Sequence, residues 1–327
     1  MSPAPAPDLE LSVVVPSHGR PLRLRWLLNA LQEQTLERFE VVVVHDGPAD
    51  GPTDRLLATH PLAAEGTLRG LRAEPCGAAV KRNLGWRAAR GALVAFTDDD
   101  CRPPAGWLAG MLDAARGAPG AVVQGRTTPD PDELAILHHA PHAHTMHVEP
   151  PTPWGQTCNI AFPRALLEQL DGFDETLTMS GEDTDLLQRA LDAGALQVAA
   201  PGVLTHHAVV DQRLGRALRQ RWRWQDVAGA VKRHPRLREP FPLHVFWKPR
   251  HATLLLALGG ALAAGERRTP LPLLLVLPWA AQARPEYGPG PRALVRGLGE
   301  LPGQAAIDAV ELAALVRGSI RHRTLVL

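Results

Sequence analysis

Leu93-Val94-Ala95-Phe96-Thr97-Asp98-Asp99-Asp100 runs an apolar segment straight into three carboxylates. Its uncharged start predicts a strand over 93–97 that is buried on both faces. Alternate residues of an extended segment share a face, so Asp98 and Asp100 can point into one pocket, where they repel unless a cation lies between them. Mg²⁺ or Mn²⁺ suits such an oxygen site, which holds its metal through one or two carboxylates plus substrate phosphates. Taken alone, the triplet also fits an acidic turn that caps the next element.

Upstream, the pattern alternates in the way that predicts parallel strands joined by crossover helices. A strand is expected over 11–15, ending at Pro16. A helix over 21–34 follows, with Leu24, Leu27, Leu28 and Leu31 at helical spacing. The next strand, 41–44, ends at His45-Asp46-Gly47; another is expected over 68–73, then a helix over 77–90. Three of these four strands end in polar or acidic residues, and ligands of open parallel sheets bind at strand carboxyl ends. Downstream, a strand over 122–127 gives way to a proline- and histidine-rich stretch, 128–153. A helix over 182–194, a strand over 198–204 and one long helix over 212–232 are expected next. Leu/Ala-rich runs over 251–265, 269–281 and 305–317 close the chain. The expected division is a disordered tail (1–8), two α/β halves (9–127 and 128–238) and an apolar helical region (239–327).

Composition narrows the function classes. The 327 residues are 45% hydrophobic and 21% charged, which excludes a disordered or fibrous chain. Thirty-five basic against 34 acidic side chains leave a net charge of +1, without the basic footprint of a nucleic-acid binder. Cys76, Cys101 and Cys158 have no CxxC spacing, which argues against a zinc ribbon or disulfide framework and for a reducing compartment. The first residues show neither a basic nor an apolar stretch of the secretory kind. A cytoplasmic location is expected.

Four elements in order carry a resemblance: Val13-Val14-Val15-Pro16-Ser17-His18-Gly19-Arg20, Val41-Val42-Val43-Val44-His45-Asp46-Gly47, Ala78-Ala79-Val80-Lys81-Arg82-Asn83-Leu84-Gly85, and the Asp triplet. Together they resemble the nucleotide-binding half of a family 2 glycosyltransferase. The resemblance continues through Gly155-Gln156-Thr157-Cys158-Asn159-Ile160-Ala161-Phe162, Gly172-Phe173-Asp174-Glu175 and Gly181-Glu182-Asp183-Thr184-Asp185-Leu186, and covers about residues 10–235. It implies the GT-A fold, a Rossmann-like, mostly parallel sheet flanked by helices, here with a C-terminal helical appendage. It also implies a nucleoside-diphosphate sugar donor bordered by Pro16, Ser17 and Arg20, with Asp46 on the base. Asp98 and Asp99 lie on the ribose and diphosphate side in that reading, Asp100 holds the cation, and Arg82 supports the diphosphate. His18-Gly19 and His45 depart from the family pattern, which leaves the base open.

Displacement at an anomeric carbon needs a group that takes the acceptor hydroxyl proton. The resemblance assigns that role to Asp183 of an inverting enzyme, with Glu182 orienting the acceptor. Ser180 and Asp183 equally fit a capping box. Gln220, Arg223 and Trp224 fit the QxxRW pattern of processive members; with Trp154 they form the expected acceptor side, since an aromatic ring offers a sugar its apolar face and arginine grips phosphate. An Arg- and Trp-rich amphipathic helix would look the same. His206 is the expected third metal ligand, with His207 its rival. The loop histidines His138, His139, His142, His144 and His147 lack strict ligand spacing and read as a solvated loop.

The apolar runs near 254–264 and 271–281 are shorter than the roughly 20 residues that span a bilayer. They read either as core helices or as a shallow hairpin resting on a membrane through residues 245–285, which suits a lipid-linked acceptor at the inner face of the cell membrane. The sequence is therefore expected to encode a Mn²⁺- or Mg²⁺-dependent inverting glycosyltransferase that transfers a sugar to a hydroxyl of a glycan or lipid-linked acceptor in cell-envelope polysaccharide or glycolipid synthesis. An inactive GT-A domain serving as an assembly partner is the alternative; a sugar nucleotidylyltransferase lacks its Gly-rich, Arg-containing loop.

Overall fold

The computed structural model describes residues 9–327, so the expected tail lies outside the described residues. The chain forms two compact units, one running to Leu134 and resuming over Thr145–Val209, the other made of Ala135–His144 and Val210–Leu327.

The first unit is built on a single eight-stranded sheet. In chain order its elements are β1 (Leu11–Ser17), α1 (Pro21–Gln32), β2 (Phe39–His45), α2 (Pro52–Thr59), α3 (Pro61–Ala64), β3 (Leu68–Arg72), α4 (Ala78–Ala88), β4 (Leu93–Phe96), β5 (Cys101–Arg102), α5 (Trp107–Gly117) and β6 (Val122–Pro129). A short helix, α6 (Leu134–His139), belongs almost wholly to the second unit, and the first resumes with β7 (Ile160–Pro163), α7 (Arg164–Leu170), α8 (Glu182–Asp192) and β8 (Gln197–His207). The strand order is β3-β2-β1-β4-β7-β6-β8-β5. β3, β2, β1 and β4 run parallel, as does β6 with β8; β7 is antiparallel to both its neighbours, and β5 to β8.

Strand alternation divides the core. Val13, Val15, Val41, Val43 and Ala95 face α1, α2 and α5, where Leu24, Leu28, Leu57 and Trp107 close the layer. Val14, Val94 and Phe96 face the opposite way, onto Trp86 of α4, Leu167 of α7 and Leu186 of α8. A sheet covered on both faces needs continuous apolar strands, which explains Val41-Val42-Val43-Val44. The carboxyl ends of β1, β2 and β4 then lie side by side, with Ser17 paired to His45 and Val14 to Phe96.

The second unit is helical: α9 (Leu214–Arg221), α10 (Val227–Arg233), α11 (Pro249–Arg267), α12 (Leu277–Ala283), α13 (Pro291–Gly299) and α14 (Leu301–His322). Leu254, Trp279, Ala283 and Leu312 form a small core in it. The expected long helix over 212–232 is instead α9, a tight three-residue-per-turn segment (Trp222–Asp226), and α10. The cause is α14. Gly318 has no side chain to hold off the Gln225 backbone, and Arg317 lies over the Trp222 ring and donates to the Gln225 side chain. The run over 269–281 is likewise split, into a 3-10 segment (Leu271–Val276) and α12, where Pro270, Pro272 and Pro278 remove helix donors.

Candidate active site

The crevice at the strand ends is assembled from charges that neutralise one another across elements. At the end of β2, the buried Asp46 carboxylate takes Lys81 Nζ of α4 at 2.8 Å and His18 Nδ1 at 2.7 Å. Burial raises its pKa, but the Lys81 and His18 hydrogen bonds outweigh that and hold it at about 2. Lys81 also donates to the Ser17 carbonyl at 3.0 Å, locking the end of β1 to the end of β2.

β4 ends at Phe96, and the triplet turns rather than extends, with Cys101 N–H closing on the Asp98 carbonyl at 3.0 Å. The expected sharing of one face by Asp98 and Asp100 is thus achieved by a turn, not by strand alternation. Asp99 is fully buried, contrary to a place against the donor: it accepts from Ser17 Oγ at 2.7 Å and pairs with Arg20 Nη2 at 2.5 Å. It therefore holds the two residues that border the crevice. Burial pushes its pKa up to about 6. Arg20 also pairs with Asp100.

Asp98, Asp100 and His207 bring one ligand atom each to within 4.8 Å of the others. His207 rather than His206 is the residue at this cluster, which corrects the expected third ligand. β8 pairs antiparallel with β5, setting His207 against Cys101 next to the triplet; His206, on the other face, lies against Thr128 Oγ1 at 3.1 Å. His207 Nε2 lies 3.5 Å from Asp100 Oδ1. A two-carboxylate, one-imidazole donor set fits a divalent cation, and the charge balance fits too. Among the described residues, Asp46, Asp98, Asp99, Asp100, Glu182 and Asp183 face Arg20, Lys81 and Arg82 as fixed cations.

Arg82 is buried, not on a helix surface, and bridges two parts of the crevice: Nη2 to Asp98 at 3.0 Å, Nη1 to Glu182 at 2.8 Å. Glu182 and Asp183 open α8. The N-cap of the helix is Gly181, whose φ of 93° lies in the left-handed region, so the N-cap position falls on Gly181 rather than on Ser180. Asp183 accepts from its neighbour, Thr184 N–H, at 2.8 Å, and Thr184 Oγ1 ties the turn to the Trp154 carbonyl at 2.9 Å. Burial and then the like charge of Glu182 push the Asp183 pKa up to about 7, against the pull of Arg82.

Residues 12–171 match the family model for glycosyl transferase family 2. Those residues, just under half of the chain, are a family 2 glycosyltransferase domain. The glycosyltransferase AglE of Haloferax volcanii is 27% identical over 203 residues, covering 60% of this chain and 66% of that one. Validoxylamine A glucosyltransferase of Streptomyces hygroscopicus is 28% identical over 245 residues, covering 61% and 57%. The chain thus spans less than two thirds of the length of these curated relatives. A mannosyltransferase from Pyrobaculum calidifontis, solved with GDP-Man and Mn²⁺, superimposes with a TM-score of 0.57 at 23% identity over 97% of this chain and 89% of that one. The fold is GT-A.

Of the site residues expected from the sequence, Pro16, Ser17, Arg20, Asp46, Arg82, Asp98, Asp100, Glu182, Asp183 and Trp154 all belong to the first unit. Gln220, Arg223 and Trp224 belong to the second, where Arg223 lies over the Trp224 ring and Trp224 packs on Trp247. Among the described residues the five loop histidines form no metal-ligand group. Lys81 was missed as a site residue. Its signal was its position, one residue before Arg82 in a motif already quoted, four residues along α4 from Gly77.

Proposed function

We propose that this glycosyltransferase moves a sugar, with inversion, from a nucleoside diphosphate to an acceptor hydroxyl. The observation that carries the reading is Arg82, which joins Asp98 of the acidic cluster to Glu182 beside Asp183 in one charge network. Asp183 takes the proton of the acceptor hydroxyl; its raised pKa makes it a competent base near neutrality. The freed oxygen bonds to the anomeric carbon while the bond from that carbon to the diphosphate oxygen breaks, and the nucleoside diphosphate leaves. Arg20 and Arg82 offer guanidinium groups where charge grows on the leaving oxygens. Asp98, Asp100 and His207 would hold the divalent ion, which when bound supplies further charge stabilisation at the diphosphate. Asp46, Ser17 and Pro16 border the nucleoside, and Trp154 serves the acceptor.

Relatives named for sugar transfer, and a structural neighbour solved with a nucleotide sugar and Mn²⁺, support this reading. The acceptor is a glycan or lipid-linked hydroxyl of cell-envelope polysaccharide or glycolipid synthesis, met at the inner face of the membrane. The test is turnover of a nucleotide-sugar panel with Mn²⁺ or Mg²⁺. Metal-dependent release of nucleoside diphosphate is expected; no binding and no turnover of any donor would sink the reading, and pyrophosphate release would replace it with nucleotidyl transfer.

A further inference from the structure

We infer that α11 and the following 3-10 segment form a hairpin that lies in one leaflet of an anionic lipid bilayer. This deepens the membrane contact proposed above through residues 245–285 and rests on it. Residues 251–265 and 269–283 hold no Asp, Glu, Lys or Arg, while Glu266, Arg267 and Arg268 stand exposed between them with a net charge of +1. The two runs pack through Gly260, where a side chain would collide with the Pro272 carbonyl and with Leu275. Their outer surfaces are bare. Leu262 is 72% exposed, Leu271 69%, Leu274 57% and Leu277 58%, and Leu255, Leu256, Leu258, Leu273, Leu275 and Val276 are exposed too.

The distribution of that exposure selects the occupant. At three residues per turn, Leu275 faces Gly260 of α11, and Leu273, Leu274 and Val276 cover the remaining sides of the segment. A protein partner docks on one side and leaves the others wet, whereas a hydrocarbon phase surrounds. Among the described residues no helix is long and apolar enough to cross a membrane. The hairpin therefore enters and returns on one side, and the Arg267-Arg268 turn belongs at phosphate depth, where each arginine adds attraction to anionic lipid.

The test is flotation of the full chain with neutral phosphatidylcholine vesicles and with vesicles containing phosphatidylglycerol. Wild type is expected to float with both and more strongly with the second. The triple variant Leu258→Glu, Leu262→Glu, Leu274→Glu alters only exposed side chains; it is expected to keep the wild-type melting temperature and to lose vesicle partitioning by about a thousandfold, roughly tenfold for each leucine withdrawn from hydrocarbon. Arg267→Glu with Arg268→Glu is expected to erase the preference for anionic vesicles. A wild type that does not float overturns membrane contact itself. A triple variant that floats as wild type leaves membrane contact standing and overturns the hairpin. A wild-type dimer in light scattering that the triple variant converts to monomer also overturns it, by assigning the apolar surface to a second copy.

Discussion

Asp183 must be ionised to take a proton, yet the structure resists its ionisation. That opposition makes two predictions at the level of one residue. Because a raised pKa of about 7 means the base is half protonated there, transfer should rise about tenfold per pH unit below that value and level off above it in a pH–rate profile. Asp183→Asn should cost roughly 10²–10⁴-fold in turnover, the usual worth of a positioned base. The same substitution should act in reverse on stability. A carboxyl whose folded pKa lies above its unfolded value of 3.8 favours the fold when protonated, and that contribution is lost as pH rises through about 7. Asp183→Asn should therefore melt higher than wild type at pH 8, with the gap closing as pH falls toward 4. Near-normal transfer by the variant would remove Asp183 from the chemistry; a lower melting temperature at pH 8 would show that the carboxylate is held by partners that favour its charge.

At the level of elements, what the sequence conveyed depended on how far away the deciding contact lay. The strands of the donor half were readable because their burial on both faces is written locally, as in Val41 to Val44. The break of the 212–232 helix was not, since Gly318 and Arg317, some ninety residues on, draw Gln225 and Trp222 out of helical register. The choice between His206 and His207 likewise turned on the pairing of β8 with β5, which no local pattern encodes. The root of α11 shows the same dependence on a distant partner. Fully buried Glu311 of α14 receives Lys248 at 2.7 Å and His251 Nε2 at 3.1 Å, with Arg221 Nε at 3.3 Å, and Asp308 receives Arg250 at 2.8 Å. Burial raises the Glu311 pKa, but the His251 bond and Lys248 overcome that and bring it to about 2. Glu311→Gln should destabilise the second unit by about 3–5 kcal/mol, because it strands buried cations. Chemical denaturation followed by tryptophan fluorescence would measure this, and a loss below about 1 kcal/mol would mean that water already satisfies Lys248. In wild type this contribution is full above the ordinary glutamate range and fades as pH falls from there toward about 2.

For the whole molecule, near neutrality conceals a local imbalance: the net charge is +1, while the crevice of the first unit gathers six carboxylates around three fixed cations. Like charges packed at strand ends raise the free energy of the folded state, so a ligand pair that brings a divalent cation to them should stabilise the fold more than either ligand alone. Binding to the folded state alone contributes RT ln(1 + [L]/Kd), about 2.7 kcal/mol at a hundredfold excess over Kd. A thermal-shift series with Mn²⁺ and a panel of nucleoside diphosphates reads this directly. Wild type should shift upward by several degrees with metal and the preferred nucleotide together, little with nucleotide in the presence of a chelator. Asp100→Ala and His207→Ala should lose the metal-dependent part of the shift, His206→Ala and Asp183→Asn should keep it. Equal loss in His206→Ala and His207→Ala would mean that the β8 register does not select the ligand. A full shift in Asp100→Ala would move the cation away from the triplet altogether, leaving Arg20, which pairs with Asp100 in the free enzyme, as that carboxylate's working partner.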